Sequence, residues 1–120
     1  MMDEISRQEA EAYLGMDESA LFSLLVPETV RSQDVFSAEG LIARGRQIFT
    51  SKLKDAQQSV CTAYLSRKDT VKGASELTIL VAGALLSVSH LGVPIVPMAV
   101  LIVRIGLEEL CRGTSNATQQ

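Results

Sequence analysis

The chain has 120 residues, 47% hydrophobic and only 4% aromatic with no Trp, and carries a formal net charge of −3. A chain of this length makes one domain that can bury a modest core without metal or disulfide support, and its single histidine excludes a histidine-rich metal site. The aliphatic excess favours helices packed on helices. Charge is divided along the chain: residues 1–39 hold two basic and nine acidic side chains, net −7, and residues 40–72 hold seven and two, net +5. An acidic first third folding against a basic middle needs no outside partner.

In chain order, Ser6 and Glu9 have capping-box spacing and open a short helix that ends near Leu14, with Gly15 as its terminator. Asp17 is placed to cap a second short helix, ESALFSLLV, whose Leu21, Leu24 and Leu25 share a face before Pro27 halts it. These N-terminal helices extend to about residue 26, and a polar connection follows as far as Ser37.

Ser37 is positioned to cap the longest helix, about 38–67. On it Leu41, Ile42, Gly45, Ile48, Phe49, Leu53, Ala56, Val60, Ala63 and Tyr64 fall within about 160° of arc, the mark of one core-facing side. Gly40 and Gly45 each cost such a helix about 1 kcal/mol relative to Ala, which points to another backbone passing close by. From about 75 to 112 comes an apolar helical hairpin. Ser75 is the expected cap of its first leg, with Leu77, Leu80, Val81, Leu85, Val88 and Leu91 on one side. The other side carries small and polar residues, among them Thr78, Ala82, Gly83 and Ser87, relieved by Ile79 and Leu86. The second leg admits Pro97 in its first turn, places Arg104, Glu108 and Arg112 at i, i+4, i+8 as an edge of ion pairs, and meets a terminator at Gly113. Residues 114–120 read as a disordered tail, leaving 1–113 as a single helical domain.

Residues 77–103 contain no charge and resemble a membrane span in hydropathy alone. Gly92, Pro94 and Pro97 cut the run into legs of 15 and 9 residues. A helical span needs about 20 residues, so neither leg crosses a bilayer by itself. The expectation is therefore an all-α, compact bundle of four to five helices with the apolar C-terminal hairpin at its centre.

The candidates for chemistry are few. The run from Gly40 to Gln47 imitates a phosphate loop, yet it offers Arg46 and Gln47 where Lys and Ser or Thr are required, and no strand precedes it. His90 falls in the last turn of its helix, where a histidine meets free carbonyls and the negative dipole end. Cys61 and Cys111 sit at helical apolar positions and read as reduced core thiols. With an acidic start in place of a basic and apolar leader, they give a cytoplasmic expectation. Adjacent acidic pairs such as Glu108 and Glu109 point about 100° apart on a helix and do not converge. Arg44, Arg46 and Lys54 spread around the wheel and lack interleaved aromatics, against nucleic-acid binding.

No catalytic, metal-ligating or cofactor-binding residue is assigned, and no cofactor is expected. The sequence points to a small non-catalytic interaction module or oligomerising accessory subunit whose partner is another protein or a second copy. The alternative is a membrane-associated protein inserting residues 77–103, and the third reading is a small regulatory nucleic-acid-binding or enzymatic protein.

Overall fold

In the computed structural model, which describes residues 7–27, 37–88 and 91–118, the chain forms six helices and no strand among those residues. They are α1 (Arg7–Leu14), α2 (Glu18–Leu24), α3 (Ala38–Arg67), α4 (Gly73–Leu86), α5 (Ile95–Ile105) and α6 (Leu107–Thr118). Of the three expected N-caps that fall on described residues, Asp17 and Ser37 are in place and Ser75 is not. The Asp17 carboxylate accepts from the Ala20 N–H and the Ser37 hydroxyl from the Gly40 N–H, each at 3.0 Å. Ser6 lies outside the described residues.

α3 turns the expected face inward: Gly45, Phe49, Ala56 and Val60 are buried. α2 crosses it at Gly45. A Cβ at that position would stand 1.9 Å from the Phe22 carbonyl oxygen and 2.5 Å from its carbonyl carbon, so only glycine lets the two backbones approach this closely. The Phe22 ring then meets Phe49 edge-on at 5.6 Å, while the Arg46 guanidinium lies 4.8 Å from the Phe22 ring centre. Here the glycine signal in the sequence has its explanation.

α5 is the core of the bundle. Seven consecutive residues from Val96 to Ile102 are buried, and the helix touches α1, α2, α4 and α6. Pro97 fits because the N–H it lacks belongs to the first turn, where no intrahelical acceptor exists. α4 makes the most extensive contact with it, as the central hairpin requires. The face α4 buries is rotated from the expected one: Thr78 and Ala82 are buried beside Val81 and Leu85, while Leu77 and Leu80 are half-buried. Small residues on α4 admit the bulky flank of α5, so the burial centre falls between the large and small sides.

Helix boundaries in the C-terminal half differ from expectation in four places. α4 starts at Gly73 rather than after Ser75, because the Glu76 carboxylate reaches back to accept the Lys72 N–H at 2.8 Å. It ends at Leu86, with the Ser87 hydroxyl donating to the Ala84 carbonyl at 2.7 Å, and His90 lies outside the described residues. The expected second leg is broken at Gly106, whose φ of +104° a side chain would oppose. Gly113 does not end the last helix, and the segment read as a disordered tail is helical through Thr118.

The break redirects α6 onto α3, with two consequences. Cys61 and Cys111 come to a Cα separation of 5.4 Å and form a disulfide, correcting the reading of two reduced thiols. Their apolar surroundings are as expected, but the chain reversal that joins them is invisible in the local pattern. Arg104, Glu108 and Arg112 also leave their common edge: Arg104 donates to the Leu14 carbonyl at 2.9 Å and to the Met16 carbonyl, while Arg112 pairs with Glu109 at 3.0 Å.

Candidate functional site

The residues that invited a chemical reading are occupied structurally. The phosphate-loop imitation lies inside α3, with Gly45 closed under Phe22. Cys61 and Cys111 are bonded to each other, so neither offers a thiolate. Glu108 and Glu109 diverge, one toward Tyr64 and Lys68 and the other toward Arg112. Among the described residues no group of three or more His, Cys, Asp or Glu side chains is placed to hold a metal ion. In the basic middle, Arg46, Thr50 and Lys54 share a shallow hollow of about 490 Å³ on α3 alone, and Arg46 is already stacked on Phe22. Phe49 is buried, and the Tyr64 hydroxyl donates to Glu108, so neither presents a free ring for a base.

Along the seam where α3 and α4 run side by side, the outer surface is a trough. Its two halves, of about 580 and 540 Å³, meet at Ala63 and Ala84. The α3 bank is the stripe Asp55, Ser59, Thr62 and Ser66, spaced i, i+4, i+7, i+11, and the α4 bank repeats that spacing with Glu76, Leu80, Gly83 and Ser87. Thr70 and Glu76 stand at one end, Asp55 and Ser87 at the other, so the helices are antiparallel. The trough exists because its floor is built from small side chains.

Gly83 lines the first half. A Cβ added there would find no atom within 4 Å, so space stands open over the helix axis. One turn on, Leu86 is 56% exposed, the largest exposure of any big apolar side chain among the described residues. The chain therefore presents a hole beside a knob on one helix face.

Two polar clusters fix the walls. At the open end of α4, Glu76 is held below the ordinary carboxylate range chiefly by the Lys72 N–H, with further help from Arg7 at 3.4 Å. Behind α3, the Tyr64 hydroxyl donates to Glu108 at 2.6 Å, and the Gln57 side-chain amide donates to the Leu110 carbonyl at 2.9 Å. That carboxylate, followed by burial, pushes the Tyr64 phenol up to about 12, and the phenol and Lys68 together lower Glu108. Both clusters are structural bolts.

The chain matches no protein-family model, no curated protein and no solved structure. Function is therefore argued from the trough. Of the small side of α4 expected from the sequence, Gly83 and Ser87 line the trough, whereas Thr78 and Ala82 are buried and Leu80 comes from the expected large side. The α3 bank was not legible in the sequence, because Ser59, Thr62 and Ser66 lie outside the apolar arc and resemble ordinary solvated positions. The signal that finds it is a small-residue stripe at helical spacing facing another such stripe.

Proposed function

We propose that the protein is a small, non-catalytic helical interaction module, an adaptor or oligomerising accessory subunit, which accepts a protein helix along the α3–α4 trough. The observation that carries this reading is Gly83, a helical glycine open to solvent beside the exposed Leu86. A glycine in a helix interior costs about 1 kcal/mol relative to Ala, and a helix backbone approaching it recovers that loss in contact, as α2 does at Gly45. The mixed lining of apolar and hydroxyl side chains suits a partner that leaves and returns more than a permanent core.

Membrane insertion of residues 77–103 has no supporting observation. No helix among the described residues is long and apolar enough to cross a membrane, and the segment is divided between α4 and α5. The cytoplasmic address rested in part on reduced thiols, and the disulfide removes that support, since such bonds are rare in reducing compartments.

A photo-crosslinking side chain at Thr62, in the trough, tests the reading against one at the exposed Gln8 of α1. Discrete adducts from Thr62 that disappear with Gly83→Gln, and none from Gln8, are the expected result. A silent Thr62 position would sink it.

A further inference from the structure

We infer that the occupant of the α3–α4 trough is a second copy of this chain, docked antiparallel about a two-fold axis through the middle of the trough. The inference rests on the interaction-module reading and names its partner. The charge pattern leads to it. Asp55 lies at one end of the trough and Arg67 at the other, 12 residues apart on α3 and so about 18 Å along the helix. Neither side chain has a salt-bridge partner among the described residues, and Glu76, the acid that lines the Arg67 end of the trough, is already engaged by Arg7 and the Lys72 N–H.

A two-fold axis lying in the interface, perpendicular to the long direction of the trough and near the midpoint of that interval, carries each end of one copy onto the opposite end of the other. Asp55 then meets the second copy's Arg67, and Arg67 its Asp55, so that one complementarity is used twice. The same rotation treats the apolar features alike. Ala63 and Ala84, shared by the two halves of the trough, lie near the axis, with Gly83 beside them. The small floor lets the two copies approach closely, as α2 and α3 do within one chain at Gly45. A parallel arrangement would leave Asp55 level with Asp55 and Arg67 level with Arg67, with no complementary pair.

The test is sedimentation equilibrium of the full, disulfide-bonded chain at low and high salt. The wild-type chain forms a species of twice the chain mass, weaker at high salt because exposed charges are screened. Asp55→Arg and Arg67→Glu each weaken self-association on the order of ten-fold, since every reversal is felt at two symmetry-related contacts. The double variant recovers it. Mixing the two single variants produces a mixed dimer, one copy basic at both ends and the other acidic at both ends. Gly83→Gln abolishes the dimer, and at concentrations where the wild-type chain is also monomeric it costs no thermal stability, because its side chain starts in open space.

A wild-type chain that stays monomeric at every concentration overturns the inference, as does a dimer indifferent to these substitutions. The crosslink at Thr62 separates the two failures. Adducts with a monomeric chain mean that a foreign helix occupies the trough and the module reading stands, whereas their absence removes both.

Discussion

Gly45 and Gly83 are both interior glycines of long helices, and they meet opposite fates. At Gly45 the Phe22 backbone fills the place of the missing side chain, whereas at Gly83 nothing comes within 4 Å. A helical glycine is thus a permission for close approach, and the fold takes up one permission and leaves the other. Around Gly45 the surface is closed by the Phe22–Phe49 ring contact, and further along α3 it is closed by α6 through a disulfide. The trough has no such cover, and Leu86, one turn from Gly83, is 56% exposed.

The closed side is tested most severely at the disulfide. Replacing Cys61 and Cys111 together by Ala frees a loop spanning 50 residues and lowers unfolding free energy by about 4 kcal/mol, measured by denaturant titration. A loss under about 1 kcal/mol would mean that the Gln57 and Tyr64 bonds hold α6 by themselves. Gly45→Ala comes next. Its new methyl group collides with backbone, for a net loss of about 2 kcal/mol after the gain in helix propensity, and an unchanged midpoint would show that α2 slides freely.

The open side predicts the reverse sign. Gly83→Ala raises stability by about 1 kcal/mol in the monomer, so a lowered melting temperature would reveal a neighbour in the trough. On the core side of α4 stands Thr78, fully buried, with a hydroxyl that has no hydrogen-bond partner. Thr78→Val keeps the shape and removes the stranded group, a gain of up to about 1 kcal/mol by calorimetry. Destabilisation instead would show that the hydroxyl is bonded.

The smallest effect is electrostatic. Because the folded Tyr64 phenol titrates above its ordinary value of 10.0, its contribution is fully present below that pH and is lost as pH rises through about 12. Glu108 is depressed, so its share is present above the ordinary carboxylate range and disappears as pH falls through its lowered value. In a Tyr13→Phe background, phenolate absorbance follows Tyr64 alone. Glu108→Gln should return that titration toward the ordinary value, and no movement would separate the two groups.

Local signals in the sequence were read well where one helix decides the outcome. The caps at Asp17 and Ser37, the inward arc of α3, the need for a close backbone at Gly45 and the central apolar pair all follow from spacing on single helices. Reading failed where a decision is made between helices. Gly106 looks like any glycine in an apolar run until α6 has somewhere to go, and that destination alone brings Cys111 to Cys61. The same limit hid the trough, since each bank is unremarkable until the other is set beside it.

The covalent bond between α3 and α6 also makes the chain a closed ring from residue 61 to residue 111, enclosing the whole of α4 and α5. A protease that cuts within that ring, for instance between Leu86 and Ile95, leaves both pieces attached, and they separate on a gel only after a reducing agent is added. A cut in residues 28–36 opens no ring and frees the N-terminal piece at once under denaturation. Fragment patterns with and without reductant thus give a direct map of which connection a protease reaches first.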